Sequence, residues 1–238
     1  MATPGIGKRL AALDWPAMAR SIDTVGYARS GPLLTAAECT GLIRLYDDEP
    51  RFRRTIEMAR HAFGEGQYRY FSRPLPALVE RLRRGLYPHL APIANAMMAA
   101  LGRPYRYPDR LSAFLAHCHD QGQTRPTPLL LRYEVGGFNC LHRDLYGEVA
   151  FPLQATLCLS RLGADYRGGA FLLAEQRPRM QSRAEAIDLE QGEMIVFPTA
   201  ERPVRGRRGV YAAGMRHGVS RLYQGRRHAL GIIFHDAA

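Results

Sequence analysis

The sequence predicts a mainly β fold of the sandwich or barrel type, supported by helices that come earlier in the chain. From residue 129 onward, short apolar runs are separated by glycine turns, a pattern typical of such folds. Before residue 125, apolar residues recur at helical spacing in several places. We therefore expect an N-terminal elaboration of helices and strands over 1–125, packed on a β core over 126–238. A chain of 238 residues is long enough to bury a substantial core.

The first 125 residues carry two strand candidates and several helix signals. A short strand is predicted at 24–27. Thr35 and Glu38 have the spacing of a capping box, so a helix should begin there. Leucines spaced by four from residue 78 predict an amphipathic helix that Pro88 ends or kinks, followed by a second helix over 91–101. The outer face of the first of these two helices carries Arg81, Arg83 and Arg84.

An aromatic stripe lies in the segment 64–71, which is typical of a hairpin turn that feeds a strand. Tyr68 and Tyr70 alternate along that strand and should therefore share one face. Such a stripe packs a core more often than it stacks on a nucleobase, so we favour the core.

The chain after residue 129 is strand-like almost throughout. Glycines open or close most of the runs, and the last run is bulky enough for a central strand. The strand candidates are 129–131, 151–160, 170–174, 193–197 and 229–234.

A short metal-type motif follows the first of these strands. Gly136 and Gly137 break the apolar run, and the chain then delivers His142 and Asp144. Residues i and i+2 of an extended segment project from the same face, so both side chains can reach one point. One imidazole and one carboxylate are two thirds of the facial triad that holds non-haem Fe(II). An HxD pair alone is often accidental, so the interpretation depends on a third ligand.

His217 is the candidate for the third ligand. It comes far enough after Asp144 for several strands to intervene, so a double sheet can return it to the first pair. A satisfied core histidine is the alternative. The residues that follow favour the interpretation of His217 as a metal ligand, because Gly225 and Arg227 come after it and lead into the last strand.

A second group of residues with metal-binding side chains is interpreted as a decoy, that is, a group that binds no metal. His117, His119 and Asp120 lie at the end of the predicted helix SAFLAHC. On a helix, side chains at i and i+2 point in different directions, so we expect a solvated helix end there.

The charge of the chain permits a polyanionic partner without requiring one. Lysine and arginine total 33 against 22 acidic residues, which gives a formal net charge of +11, and Lys8 is the one lysine. Such a charge permits attraction to nucleic acid. The arginines are spread along the chain, however, which is equally typical of a solvated surface.

The cysteines and the hydropathy indicate the compartment. The four cysteines form no CxxC pair, so a reduced, cytoplasmic protein is expected. The sequence predicts neither a signal peptide nor a membrane-spanning run.

The order of these motifs resembles that of the 2-oxoglutarate- and Fe(II)-dependent dioxygenases, especially their prolyl-hydroxylase-like branch. Four motifs follow one another over roughly 128–235: HxD, a strand that begins after Gly-Gly, a G-x-x-x-x-F turn and H-x-V-x-x-x-x-x-G-x-R. The resemblance implies a distorted double-stranded β-helix, or jelly roll, of the mainly β (α+β) class. It also implies residue roles: iron ligands at His142, Asp144 and His217, a 2-oxoglutarate-binding arginine at Arg227, and cosubstrate-pocket positions at Tyr133 and Asn139. Many prolyl hydroxylases carry a tyrosine where Asn139 stands.

Longer stretches of the sequence are similar to those of one bacterial oxygenase family. NCLHRDLYGEVAFPLQ, EQRPRMQSRAE and RHGVSRLYQGRRHALGIIFHD resemble oxygenases grouped, by prediction, with enzymes that oxidatively demethylate damaged DNA bases. The cofactors implied are Fe(II), 2-oxoglutarate as cosubstrate, and O2. The implied chemistry couples decarboxylation of 2-oxoglutarate to succinate with hydroxylation of the substrate. Hydroxylation of an N-methyl group would release formaldehyde.

The substrate stays open between two classes. Nucleic acid is favoured by the resemblance, but the R-x-N-x-x-x-R run of AlkB-type demethylases is absent from RHALGIIFH. A protein or peptide side chain is favoured by the prolyl-hydroxylase-like order of motifs. A non-catalytic nucleic-acid-binding module on the same fold is a third hypothesis, although a scaffold has no need for all of His142, Asp144, His217 and Arg227.

Two arginine clusters have two interpretations each. The segment 199–213 is either a loop that grips phosphates at the pocket mouth or an ordinary exposed hairpin. The segment 177–183 has the same two interpretations. The arginines concerned are Arg202, Arg205, Arg207 and Arg208 in the first segment and Arg177, Arg179 and Arg183 in the second.

Overall fold

A computed structural model describes residues 3–207 and 209–238 of the chain. Helices in these residues come mainly before the strands of the core. They are α1 (Ile6–Ala11), α2 (Trp15–Val25), α3 (Ala36–Arg44), α4 (Ala77–Ala100) and α5 (Leu111–Asp120). The strands before residue 126 are β1 (Ala28–Pro32), β2 (Phe52–Glu57), β3 (Gly64–Glu65) and β4 (Gln67–Phe71). The later strands are β5 (Leu129–Tyr133), β6 (Phe138–His142), β7 (Leu153–Cys158), β8 (Tyr166–Gly168), β9 (Phe171–Gln176), β10 (Arg183–Ile187), β11 (Glu193–Pro198), β12 (Glu201–Gly206), β13 (Gly209–Val219), β14 (Leu222–Gly225) and β15 (Arg227–Ile232).

Two antiparallel sheets form the core. The larger sheet has the strand order β1-β11-β7-β15-β5-β4-β2. The smaller sheet has the order β10-β9-β13-β6-β3, with β12 paired to β13, and β14 pairs with β8 in a separate ribbon. The predicted mainly β jelly roll with N-terminal helices is therefore confirmed. The division of the chain at residue 125 stays a prediction.

The central strands β7, β11 and β15 of the larger sheet are buried on both faces, which explains why they are mostly apolar rather than alternating. In β11, Met194 and Val196 pack with the helices, whereas Ile195 and Phe197 pack with residues of the smaller sheet. Successive side chains of a strand point to opposite faces, so each such strand contributes to two clusters. The helices cover one face, and a cavity and the smaller sheet lie on the other.

Helix α4 corrects one expectation, because it runs unbroken for 24 residues through Pro88 and Pro92. A proline inside a helix costs about 3 kcal/mol through the lost N–H and steric clash. Here Leu86, Tyr87 and Leu90 are fully buried around the prolines. Burial of each such side chain contributes about 1.5–3 kcal/mol, which offsets that cost. The prediction of two separate helices was wrong.

Arg83 was also assigned wrongly to the solvated face of this helix. Its side chain is only 1% exposed, and its guanidinium donates to Asp236 Oδ1 at 2.8 Å and to the backbone carbonyl of Ile233 at 3.0 Å. Asp236 is fully buried and also pairs with Arg73 and with His119, whose Nε2 lies 3.0 Å from Oδ2. The decoy histidine His119 therefore belongs to an ion-pair cluster that ties the C-terminus to α4 and α5.

The beginning of the chain contains two helices that the sequence signals missed. Asp14 caps α2 by accepting a hydrogen bond from the backbone N–H of Ala17, and the helix continues to Val25. The strand predicted at 24–27 is therefore wrong; Gly26 turns the chain in the left-handed region (φ 92°), and β1 begins two residues later. The capping box of α3 is confirmed, since Thr35 accepts from the backbone N–H of Glu38 and the Glu38 side chain accepts from that of Thr35.

Among residues 3–207 and 209–238, no helix combines the length and the apolar character that a bilayer crossing demands.

Candidate active site

Two strands of the smaller sheet bring two of the predicted ligands together. His142 ends β6 and is the direct cross-strand partner of His217 on β13. Cross-strand partners share a face of the sheet, and the two imidazole centroids are 4.2 Å apart. The close approach of the strands requires Gly218, because a Cβ at that position would lie 2.6 Å from the carbonyl oxygen of Asn139.

Asp144 completes the group two residues beyond the end of β6. Its Oδ1 lies 3.4 Å from His142 Nε2 and its Oδ2 lies 3.3 Å from His217 Nε2. One ligand atom from each of the three residues falls within 4.8 Å of the others. Within the described ranges, no other group of three or more such residues comes this close. The decoy group at the end of α5 therefore does not assemble a site.

Neighbouring groups orient the three side chains. His142 Nδ1 lies 2.8 Å from the carbonyl oxygen of Cys140, which can only accept a hydrogen bond, so Nδ1 donates and Nε2 is left to face the other two residues. The ring of His217 packs against Phe197 with centroids 4.7 Å apart. The hydroxyl of Tyr146 donates to Asp144 Oδ1 at 2.6 Å.

The electrostatics of the group favour an ionised Asp144 beside a neutral His217. Burial alone would raise the pKa of Asp144, but the imidazoles of His217 and His142 hold that pKa well below its ordinary value. Burial lowers the pKa of His217, and Asp144 only partly opposes this. Burial also acts to lower the pKa of His142, but its hydrogen bond to Asp144 raises it above the ordinary value. An ionised carboxylate beside a neutral imidazole is the state that binds a metal.

The group opens into a cavity of about 320 Å³ between the two sheets. The wall on the larger sheet is formed by the inward-facing residues of four strands, while the alternate residues of those strands pack towards the helices. This wall includes Tyr68, Leu129, Leu131, Tyr133, Gln154, Thr156, Arg227, Ala229 and Gly231. The cavity can therefore hold a small molecule beside the three ligands.

Arg227 is an unusual member of that wall. Its side chain is 1% exposed, it makes no ion pair with a carboxylate in the described part of the chain, and its Nε has no hydrogen-bond partner. The aromatic rings of Tyr133 and Tyr166 each lie 5.8 Å from the guanidinium carbon. The hydroxyl of Tyr133, its cross-strand partner, is also buried, and it has no hydrogen-bond partner among the described residues. A buried charge without a counter-charge is costly, so this end of the cavity fits an anion.

The residues predicted from sequence thus surround one cavity. Asn139 lines it from β6, opposite Val219 of β13. Fe(II) fits the donor set of two imidazoles and one carboxylate, and a small dicarboxylate such as 2-oxoglutarate fits between that group and the unpaired guanidinium. The residues brought together are His142, Asp144, His217, Arg227, Tyr133 and Asn139. Their individual roles stay predictions.

Several cavity residues were missed or misjudged from sequence. Tyr70 is buried in the core and Tyr68 packs against that core, as predicted, but Tyr68 also lines the cavity, which the sequence did not indicate. Gln154 lines the cavity, its Nε2 has no hydrogen-bond partner in residues 3–207 and 209–238, and no sequence signal pointed to it. Tyr146 lies two residues after Asp144, and that spacing is the signal that could have identified it.

The two arginine clusters lie elsewhere. Segment 199–213 forms the hairpin of β12 and β13, and its described residues do not line the cavity. Arg202 is buried and pairs with Glu175 at 2.6 Å, and Arg177 pairs with the same carboxylate at 2.6 Å. Neither of these arginines is therefore free to grip a phosphate. Arg208 lies outside the described residues.

Replacing Tyr146 by phenylalanine should weaken divalent-metal binding about 10- to 100-fold, the usual range for a lost hydrogen bond to a metal ligand. The ring and its packing remain, but Asp144 Oδ1 loses the donor that orients it. The measurement is calorimetric titration with Co(II) or Mn(II). Tyr223→Phe is the matched control, because that side chain is 70% exposed. Equal metal affinity in both variants would show that Tyr146 does not position the carboxylate.

Two solved structures are similar to this protein in fold. A prolyl hydroxylase from Trichoplax adhaerens, in complex with a hypoxia inducible factor oxygen degradation domain peptide fragment, has a TM-score of 0.55 at 14% identity, covering 96% of this chain and 91% of that one. A non-heme alpha-ketoglutarate-dependent epimerase from nogalamycin biosynthesis has a TM-score of 0.56 at 12% identity, covering 92% and 81%. At such identities these similarities establish the fold alone.

The relationship by sequence is closer. An uncharacterized protein of Mycobacterium tuberculosis is 53% identical over 168 residues, which cover 71% of this chain and 72% of that protein. The model of one family, described as oxygenases catalysing oxidative methylation of damaged DNA, matches residues 66–237. That match spans strands β4 to β15 and so includes most of the cavity lining and all three clustered residues, His142, Asp144 and His217. The chain therefore belongs to this family of oxygenases.

Proposed function

We propose that the protein is an Fe(II)- and 2-oxoglutarate-dependent dioxygenase that removes methyl groups oxidatively from damaged nucleic acid. The observation that carries the cofactor part is the buried guanidinium of Arg227, which shares a cavity with the three clustered ligands and has no carboxylate partner among the described residues. A guanidinium offers a permanently charged, bidentate partner for a carboxylate. A ligand with one carboxylate for Arg227 and another donor for the cation satisfies both ends of the cavity.

The roles of the residues follow from this fit. His142, Asp144 and His217 would hold Fe(II) and leave coordination positions for exogenous ligands. Arg227 and the hydroxyl of Tyr133 would bind the distal carboxylate of 2-oxoglutarate. When bound, the iron and 2-oxoglutarate supply O2 activation: 2-oxoglutarate becomes succinate and CO2, and one oxygen atom enters a C–H bond of the substrate.

The rest of the chain isolates this chemistry from water. Phe171, Val219 and Leu131 give the cavity apolar walls, which exclude bulk solvent and strengthen the charge interactions inside. Tyr146 holds the carboxylate of Asp144 in one orientation. A cytoplasmic location is part of the proposal, since all four cysteines lie in the described residues as free thiols.

Nucleic acid is the substrate class best supported. The family to which the chain belongs is described by its action on damaged DNA, and the chain carries a net charge of +11. Insertion of oxygen into an N-methyl group gives a hydroxymethyl group that breaks down to formaldehyde and the free amine, so the oxidative reaction removes the methyl group.

Hydroxylation of a protein or peptide side chain is the second candidate. It is favoured by the similarity in fold to a prolyl hydroxylase that was solved with a peptide.

The test is a comparison of substrates with the wild-type protein, Fe(II) and 2-oxoglutarate. A methylated single-stranded oligonucleotide should stimulate succinate formation and release an equal amount of formaldehyde, because one methyl group is removed for each cosubstrate consumed. The unmethylated oligonucleotide is the control. Peptides that are hydroxylated while methylated DNA gives no formaldehyde would support the second candidate instead.

A further inference from the structure

The larger sheet ends next to the cavity in a strand that carries an arginine on the cavity face. Strand β2 is the edge strand, and its Ile56 and Arg54 are the direct partners of Tyr68 and Tyr70 on β4. Cross-strand partners share a face, so Arg54 lies on the same face as Tyr68, which lines the cavity. Arg54 is exposed there, one strand beyond the cavity wall.

Two more guanidinium-bearing residues adjoin this position. Arg53 lies with its guanidinium carbon 4.6 Å from the centroid of the Tyr70 ring, and its Nε donates to the carbonyl oxygen of Pro126 at 2.9 Å. That hydrogen bond fixes Arg53 beside Arg125, which is exposed and whose backbone is held by two hydrogen bonds to Ala237. We call Arg53, Arg54 and Arg125 the arginine rim.

The arginine rim carries positive charge that the protein itself does not neutralise. None of its three side chains makes an ion pair with a carboxylate in residues 3–207 or 209–238, whereas Arg177 and Arg202 both pair with Glu175. Burial lowers the pKa of Arg53, and the charges of Arg125 and Arg54 lower it further, while Tyr70 and the more distant Asp236 act in the opposite direction. Arg125 and Arg54 therefore both repel Arg53, and an anion placed beside Arg53 would relieve that repulsion.

We propose that the arginine rim binds the phosphates that flank the damaged nucleotide and so positions the nucleic-acid strand across the mouth of the cavity. This rests on the proposed function, which supplies the nucleic-acid substrate. Guanidinium groups bind phosphate oxygens bidentately, and phosphate contacts set the register of a strand without reading its sequence. The rim is suited to that role because Arg53 is held rigidly on Tyr70 while Arg54 and Arg125 stay accessible.

The test uses the double variant Arg54→Gln and Arg125→Gln, which leaves the packed Arg53 in place. The matched control is Arg20→Gln with Arg81→Gln: these arginines are exposed on α2 and α4, make no ion pair in the described residues, and lie away from the cavity. Both double variants remove the same charge. Binding of a fluorescent methylated single-stranded oligonucleotide is measured at several salt concentrations, and succinate formation without substrate reports on the integrity of the site.

We expect the rim variant to lower the slope of log affinity against log salt by about 0.7 for each phosphate that an arginine no longer neutralises, so by about 1.4 for the two substituted arginines. The control should keep the wild-type slope, and both variants should keep the wild-type rate of substrate-free succinate formation. An equal slope in the two double variants would overturn the arginine rim as the phosphate site while leaving the proposed function standing. Wild-type protein that neither binds nor demethylates the oligonucleotide would overturn both.

Discussion

His142→Ala should abolish 2-oxoglutarate turnover and weaken divalent-metal binding by at least about 100-fold, because it removes a direct ligand rather than a supporting group. The reason is geometric: His142 offers one of three ligand atoms grouped within 4.8 Å, and no fourth such residue joins this group in the described part of the chain. The side chain is partly exposed, so its truncation leaves the core intact. The measurements are substrate-free succinate formation and calorimetric titration with Co(II).

The matched control for this variant is His117→Ala. His117 belongs to the HCHD group of α5, where its ring stacks on Tyr105 with centroids 5.8 Å apart, away from the cavity. It should keep wild-type turnover and metal affinity. Persistence of turnover in His142→Ala would contradict the assignment of the ligands. Absence of turnover even in the wild-type protein would favour the hypothesis of a non-catalytic binding module on the same fold.

Arg227→Ala should raise the concentration of 2-oxoglutarate needed for half-maximal turnover by about 30-fold or more, while metal affinity changes little. Truncating one partner of a buried charge pair costs about 2–5 kcal/mol, and each 1.4 kcal/mol is a factor of ten. The variant should still fold, because no protein carboxylate in the described part of the chain depends on this guanidinium. The measurement is succinate formation against 2-oxoglutarate concentration, together with Co(II) titration.

Two further variants sharpen the assignment of Arg227. Arg226→Ala is the control, because the neighbouring Arg226 is exposed and pairs with Glu134 on the surface at 3.0 Å. Arg227→Lys keeps the charge but loses the bidentate geometry, so it should recover only part of the cosubstrate affinity. Equal losses of metal affinity and 2-oxoglutarate affinity in Arg227→Ala would contradict a role confined to the distal carboxylate.

Local signals predicted those features that depend on a few neighbouring residues. The capping box at Thr35 and Glu38 starts a helix whatever lies around it, because both hydrogen bonds are internal to one turn. The i and i+2 spacing of His142 and Asp144 works in the same way, since an extended backbone alone directs both side chains to one side. The mainly β class followed from glycine turns between short apolar runs, which is again a local pattern.

Predictions failed where distant burial outweighed a local preference. Pro88 should break a helix, but the side chains around it are buried so completely that α4 continues. Arg83 should face solvent, but a fully buried carboxylate at Asp236 draws it inward, and these two residues are 153 positions apart in sequence. No pattern within one segment reports such a partner, because the favourable energy comes from a contact between segments.

The sequence by itself determined which chemical groups are available: two imidazoles, one carboxylate and one guanidinium. Their motifs come in an order that resembles the order in an oxygenase family. The tertiary structure decided which of these groups meet. It pairs His217 with His142 across two strands, leaves Arg227 buried without a protein carboxylate in the described residues, and brings Arg53, Arg54 and Arg125 together at a sheet edge. The physical reason is that the type and spacing of residues can be read within one segment. Burial, side-chain pairing and the absence of a counter-charge depend instead on sheet register and on packing between distant segments.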